Sequence, residues 1–483
     1  MSKTIRVLFL AAEADPFIKV GGLADVTSAL PRALRSLPPD RVDDVTFDVR
    51  LALPHHSAIK AEARPIAFYS LPRAGREVEV RVSESLLGEM PVYLIHGEPI
   101  ASSGAVYSSN LAIDTEKYAF FSLAALELPR YLNWDVDIVH AHDWHTALAL
   151  YALLLKRQNR QEKPIAGLLT LHNLPFMGGD LTEILASYNL PLLETDLPAW
   201  AKALPLPLGL FSADAIVVVS PTYAREILTP EFGCGLQDFL HRRRHLIHGI
   251  LNGLDTLSFD PAADPALPAR FTVETIDLRQ QNKLALQHKL GLPAEPLIPM
   301  IAMIGRLDRQ KGVDLALAVL RKLTDLPWQF VLLGIGDLAL EDAARALQAE
   351  FPGRVRVELR FDSQLARHIY AAADMFLMPS RYEPCGLAQM IAMRYGCVPI
   401  VHATGGLSDT VTEERGFLFK TPSVRALRAA LLKAFALYPN RERWRALQRA
   451  GLSADFSWLR SAKRYSDLYQ NVLHSLRVQE IRQ

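Results

Sequence analysis

Short apolar runs recur along the chain, each closed by Gly, Pro, His or Asp and each followed by residues at helical spacing. This alternation predicts parallel strands joined by crossover helices, an α/β architecture. In the first half the predicted strands are Ile5–Ala12, Val45–Leu53, Val92–Ile95, Asp137–Ala141, Ile165–Leu171 and Ala215–Ser220. In the second half they are Pro299–Gly305, Gln329–Leu333, Val355–Glu358, Met375–Met378 and Val398–Val401. Two sets imply two sheets. Between them His248–Asp255 leads into the Pro/Asp-rich Asp260–Pro265, which has the composition of an interdomain connection and puts the boundary near Asn252. From Phe456 onward Trp458, Tyr465, Leu468, Val472 and Leu476 fall at helical spacing and predict a terminal helix packed on a domain. The expected division is 1–251, 252–457 and a terminal helix 458–483.

Composition narrows the class. With 483 residues, 50% hydrophobic and 22% charged, the chain can bury cores for two or three domains. Lys+Arg total 53 against 52 Asp+Glu, without single-sign runs, so no general field draws nucleic acid or anionic lipid, and a neutral partner fits better. Cys234, Cys385 and Cys397 show no CxxC spacing; they read as free thiols in a reducing compartment and argue against a structural zinc site. The apolar run Ile5–Ala12 is too short for a signal-peptide core and is followed by Glu13 and Asp15. No stretch approaches the roughly 18 apolar residues of a membrane helix. The expected location is cytoplasmic, or the plastid stroma if a transit peptide was removed.

In open parallel sheets, ligands bind beyond the carboxyl ends of the strands. After the first strand, Lys19-Val20-Gly21-Gly22-Leu23-Ala24-Asp25-Val26 opens a helix with a Gly pair, a turn that lets backbone N–H groups approach a phosphate. It does not match GxGxxG. The strand ending at Gly305 leads to Arg306-Leu307-Asp308-Arg309-Gln310-Lys311-Gly312 and a helix Val313–Leu323; two cations there suit a departing diphosphate without a metal. After Met375–Met378 comes Pro379-Ser380-Arg381-Tyr382-Glu383-Pro384-Cys385-Gly386-Leu387, where Glu383 either accepts from sugar hydroxyls or caps its own helix. Thr404-Gly405-Gly406-Leu407-Ser408-Asp409 repeats the Gly pair before a helix. In the first half, His140-Ala141-His142-Asp143-Trp144-His145 invites a metal reading. Alternation puts His140 and His142 on one strand face and leaves Asp143 and His145 in a loop beyond, with no coherent ligand set. Asp135-Val136-Asp137 resembles a metal-binding DxD but precedes its strand, which favours a solvated turn.

Taken together, these blocks resemble the ordered signatures of bacterial glycogen synthases and plant starch synthases, as do His142-Asp143-Trp144-His145, His172-Asn173-Leu174, Val219–Glu226 and Leu251-Asn252-Gly253-Leu254-Asp255. The resemblance runs nearly the whole chain. It implies a GT-B fold, two Rossmann-like domains with parallel sheets facing across a cleft, the terminal helix returning to the first domain. It also implies a retaining, metal-independent hexosyl transfer from ADP-glucose to the non-reducing end of an α-1,4-glucan or malto-oligosaccharide, with no cofactor and no nucleic-acid or membrane partner. Carried over by residue, Glu383, His172, Arg306 and Lys311 would form the catalytic group. Lys19, Gly21, Gly22, Phe361, Cys385, Gly386, Leu387, Thr404, Gly405 and Gly406 would bind the donor, with Phe361 on the adenine. Asp25, Tyr107, Asp143, Asn173 and Asn252 would line the sugar and acceptor subsites. No residue presents itself as a carboxylate nucleophile, so front-face attack is the implied mechanism.

The sequence also departs from the family pattern. Ala388 stands where a phosphate-donating Thr is common, Leu204–Leu210 replaces a stretch usually carrying Asn and Lys, and Ser102–Tyr107 lacks the usual Arg and Pro. Two alternatives follow: a GT-B transferase with another donor or acceptor, such as UDP-glucose or a short oligosaccharide, or a catalytically weak glucan-binding or priming homologue. Ile391 sits where many transferases with other donors carry a second Glu, which lowers the first; retention of Arg306, Lys311 and Glu383 counts against the second.

Overall fold

The computed structural model describes residues 3–158 and 164–482. The chain divides into two compact units: one comprises the residues up to Gly253 and those from Trp458 onward, the other Leu254–Ser457.

The first unit is built on a nine-stranded sheet. Its strands are β1 (Lys3–Leu10), β2 (Val45–Pro54), β3 (Arg64–Arg73), β4 (Arg76–Leu87), β5 (Met90–His96), β6 (Ile138–His142), β7 (Ala166–Leu171), β8 (Ala215–Val218) and β9 (Ile247–Gly249), in the order β3-β4-β5-β2-β1-β6-β7-β8-β9. β1 lies between parallel neighbours, with Leu10 opposite both Ala52 and Ala141, and its run Val7–Leu10 is fully buried. Strand order reverses between β1 and β6, so the loops after these two strands flank the crevice where such sheets take ligands.

The antiparallel hairpin β3–β4 is absent from the strands predicted above. In β4, Val78, Val80 and Val82 are buried while Glu77, Glu79 and Arg81 face water, so the segment has no continuous apolar run. The hairpin turns at Ala74–Gly75, both at positive φ (49° and 77°), the geometry of a primed two-residue turn. The Asp135–Asp137 reading is also corrected: Asp137 is buried, and its Oδ2 accepts the Arg6 N–H at 2.9 Å, tying the start of β6 to β1.

The last helix, Trp458–Arg482, packs in the first unit. Trp458, Ala462, Tyr465, Tyr469 and Val472 recur every three or four residues and are buried among Ile5, Val7, Phe47 and Val217. Each large side chain there is worth roughly 1.5–3 kcal/mol of burial. Gly253 lets the chain meet this helix, since a Cβ at 253 would lie 2.5 Å from the Trp458 Cα.

The second unit carries a six-stranded, wholly parallel sheet: β10 (Met300–Ile304), β11 (Gln329–Leu333), β12 (Val355–Glu358), β13 (Met375–Met378), β14 (Val398–His402) and β15 (Phe417–Phe419), ordered β12-β11-β10-β13-β14-β15. Its core joins Ile301, Phe330, Met375 and Ile400 to Trp328, Leu427 and Trp444 from the flanking segments. Here the order reverses between β10 and β13, whose following loops are Gly305–Gly312 and Pro379–Leu387. The first leads into a helix Val313–Leu320, shorter than expected.

Candidate active site

In the second unit the two switch-point loops are fastened to each other. Gly312, at φ 71°, packs so closely on the second loop that a Cβ would lie 2.2 Å from the Pro379 carbonyl oxygen. The Lys311 N–H donates to Asp308 Oδ1 at 2.8 Å, Arg381 N–H to the Gln310 carbonyl at 2.7 Å, and the Arg381 guanidinium makes a two-pronged pair with Asp314 at 2.9 and 2.8 Å. So held, Lys311 Nζ reaches both oxygens of the buried Glu383 carboxylate, at 2.9 and 2.7 Å, and Ser380 Oγ donates to Glu383 Oε2 at 3.0 Å. Glu383 therefore does not cap its helix: its carboxylate is oriented by a cation and a hydroxyl. Arg306 sits on the same loop as Lys311 with its side chain 63% exposed, 3.3 Å from Asp308.

The remaining donor candidates of this unit divide. The glycines after β14 shape backbone contact: a Cβ on Gly405 would meet the Glu383 carbonyl oxygen at 2.0 Å, and one on Gly406 the Cys385 carbonyl oxygen at 2.1 Å. The Gly406 N–H already donates to the Glu383 and Pro384 carbonyls, so it supports the Glu383 loop rather than offering a donor to a phosphate. Thr404 and Cys385 are buried in the same packing. Gly386, at φ 73°, and Leu387 lead into the helix Ala388–Arg394. Phe361 is 81% exposed after β12, an aromatic face open to a ligand.

In the first unit the loop after β1 folds around a residue that motif reading passed over. Glu13 is buried, and its carboxylate accepts from the Val20 and Gly21 N–H groups and from Tyr107 Oη at 3.1 Å. The Gly21 amide, expected to face a phosphate, is thus committed to the protein's own anion. Gly22 begins the helix Gly22–Arg35, and Lys19 is paired with Asp25. Tyr107 is held from behind: the fully buried Lys117 donates to Ser103 Oγ and to the Ala105 and Val106 carbonyls, at 2.9, 2.8 and 2.7 Å. The signal for Glu13 was its place at the carboxyl end of a central strand.

Asp143 and His145 belong to a helix, Asp143–Gln158, that starts directly from β6, correcting the loop expected there. Asp143 opens it at φ 53°, a conformation uncommon outside glycine but tolerated by Asp. Its Oδ1 accepts from the His172 N–H at 2.7 Å and the Asn173 N–H at 3.4 Å, joining the ends of β6 and β7. Burial pushes its pKa up to about 7 despite those bonds, with Glu13 adding repulsion.

The histidines form a chain rather than a metal cage. His140 Nδ1 meets Tyr469 Oη and its Nε2 meets Thr170 Oγ1, both at 2.7 Å, and His142 Nδ1 lies 2.9 Å from His172 Nε2. His145 packs against the rings of Trp144 and Tyr107, both tilted to it, and edge-on against Tyr118. Among the described residues no three His, Cys, Asp or Glu side chains converge to hold a metal ion. Burial lowers the pKa of His145 and His172 to about 3 and holds that of His142 well below the ordinary imidazole range, so at neutral pH these rings are neutral hydrogen-bonding groups. Buried polar atoms without partners remain around this end of the sheet: His142 Nε2, His145 Nδ1, Asn173 Oδ1 and Asn252 Oδ1. Such atoms call for a water or a polar ligand. A hydroxyl-rich molecule meets that demand.

Comparison with known proteins places the chain in a family. Residues 6–242 match the family described as starch synthase catalytic domain, and 289–450 the glycosyl transferases group 1. A glycogen synthase of Anaeromyxobacter sp. (strain Fw109-5) is 38% identical over 97% of this chain and 99% of its own length. Glycogen synthase 1 of Methylococcus capsulatus is 39% identical, covering 97% of each. Among solved structures, the catalytic domain of starch synthase IV from Arabidopsis thaliana, bound to ADP and acarbose, matches with a TM-score of 0.88 at 32% identity, covering 98% of this chain and 100% of that one. Sucrose-phosphate synthase from Thermosynechococcus elongatus, at TM-score 0.61 and 20% identity, shares the fold. Among the described residues no helix is long and apolar enough to cross a membrane.

Proposed function

The chain belongs to the glycogen and starch synthase family of GT-B glycosyltransferases, and from that premise we propose that it moves glucose from ADP-glucose to the non-reducing end of an α-1,4-glucan with retention of configuration. The observation that carries this reading is the Lys311–Glu383–Ser380 constellation at the switch point of the second sheet. A carboxylate fixed by a cation and a hydroxyl suits a sugar's hydroxyls, and the cation beside it, with the exposed Arg306, suits a leaving diphosphate.

In the proposed reaction the bond from the anomeric carbon to the β-phosphate oxygen breaks while charge grows on the diphosphate, and Arg306 and Lys311 stabilise that charge. The acceptor's 4-hydroxyl bonds to the carbon on the face the phosphate leaves, and its proton passes to a phosphate oxygen. No metal or cofactor takes part. Glu383 holds the hexose hydroxyls, and Phe361 stacks on the base. Lys19 and the Gly22 helix start add positive potential for the donor. His172, Asn173, Asp143, Tyr107 and Asn252 serve the transferred sugar and the acceptor. Location in the cytoplasm is part of the same reading.

The test is incubation with ADP-glucose and a malto-oligosaccharide labelled at its reducing end. Chains should lengthen away from the label, and the new anomeric protons should show the small coupling of α-linkages. β-Linked product, or growth at the labelled end, overturns the reading.

A further inference from the structure

We infer that His142 is a positioning residue that fixes the tautomer of His172, leaving the Nδ1 proton of His172 as the donor offered to the sugar. Within the first unit, His142 is wholly buried at the end of β6, and its Nδ1 lies 2.9 Å from Nε2 of His172. Both rings are neutral, so one proton lies between the two nitrogens, and two arrangements are open. If His172 Nε2–H were the donor, His142 would carry its own proton on Nε2, a buried atom without a partner. If His142 Nδ1–H is the donor, the same atom is only an unfilled acceptor. Orphaned buried N–H groups are rarer and costlier than under-used acceptors, which favours the second arrangement.

The surroundings hold His142 to that role. Phe9 packs on it at 4.3 Å between ring centroids and His140 at 4.5 Å. His140 is itself pinned at both nitrogens by Tyr469 and Thr170, so it does not turn to serve His142. With Nε2 of His172 filled by His142, the proton of neutral His172 resides on Nδ1. His172 is half-buried, unlike His142, and Nδ1 is its remaining nitrogen for a ligand. Since isolated histidine favours the Nε2–H form, removal of His142 lets His172 present an acceptor where a donor is needed.

This inference rests on the proposed contact between His172 and the sugar only for its kinetic consequence; the tautomer is observable without substrate. The full chain labelled with 15N-histidine is examined by imidazole NMR, and a His172→Gln variant assigns the His172 signals. Wild type should show His172 protonated on Nδ1 with Nε2 bare. His142→Asn, whose side-chain amide reproduces the Nδ1 donor, should keep that pattern, and His142→Leu should shift it towards Nε2–H. In turnover, His142→Leu should lose about 10–100-fold in kcat with little change in glucan KM, and His142→Asn should recover most of it. A wild-type spectrum with His172 protonated on Nε2 overturns the inference, even should His142→Leu fail to fold. So does a His142→Leu spectrum identical to wild type. If His172→Gln instead turns over normally, the sugar contact fails while the tautomer result stands.

Discussion

The Lys311 ammonium bridges both carboxylate oxygens of Glu383, a residue 72 positions away in the chain, at 2.9 and 2.7 Å. Sequence motifs suggested separate roles for the two, one for phosphate and one for sugar. Their pairing makes them a single electrostatic unit in which each orients the other, with Glu383 nearly enclosed and Lys311 more open to solvent.

Removing one partner therefore affects both stability and turnover. Lys311→Ala leaves a buried carboxylate with Ser380 as its remaining side-chain donor, and an uncompensated buried charge costs up to about 3–5 kcal/mol, less here because Lys311 is partly exposed. The double variant Lys311→Met/Glu383→Gln should regain most of the lost melting temperature yet stay at least ~100-fold below wild type in kcat. Recovery of turnover along with stability would remove both residues from the chemistry.

Asp143 gives a pH test. Its carboxyl pKa is raised to about 7 from 3.8 by burial, so between those values the folded state holds a proton that the unfolded chain has lost. Stability from this group is complete below pH 3.8 and is lost as pH rises through 7, by roughly 4 kcal/mol at most. Asp143→Asn keeps an acceptor for the His172 N–H and tolerates the positive φ. Its melting temperature should exceed wild type at pH 8 and converge with it near pH 4. A difference independent of pH would show that the carboxyl titrates normally.

Gly405 tests the packing that supports Glu383. At φ 43°, with a prospective Cβ 2.0 Å from the Glu383 carbonyl oxygen, Gly405→Ala should cost at least ~1–3 kcal/mol and depress turnover. Gly353→Ala, where a Cβ meets nothing within 4 Å, is the matched control and should be near neutral. Denaturant midpoints of the pair decide the matter; equal midpoints would mean that the loop after β14 yields freely.

Phe361 lies apart from any core, so Phe361→Ala should change stability by no more than about 0.5 kcal/mol. If its ring stacks on the donor's base, a contact worth about 1–3 kcal/mol, the donor KM should rise roughly 5–150-fold with kcat nearly unchanged. An unchanged donor KM would place the base elsewhere.

Much of this molecule was legible in its sequence because parallel strands are buried on both faces and announce themselves as continuous apolar runs, as in Ile301–Ile304 and Phe376–Met378. The β3–β4 hairpin was not, since Glu77, Glu79 and Arg81 interrupt its valines and an Ala-Gly turn lacks the usual Asn or Asp. The site loops were found from their place after strands, but their internal bonding was not. Nothing in Gly21-Gly22 reveals that Glu13 already occupies the Gly21 amide, and nothing in the spacing of His142 and His172 reveals that their rings meet. Those are facts of tertiary approach between loops distant in sequence.

The Lys311–Glu383 pair is the proposed engine of glucosyl transfer from a nucleotide sugar to glucan. Nucleoside diphosphate release from ADP-glucose and from UDP-glucose, each with and without glycogen, measures it most directly for wild type and Glu383→Ala. Release should depend on glycogen, be faster from ADP-glucose, and fall by at least ~100-fold in the variant. Release that ignores glycogen, or a variant as active as wild type, would contradict it.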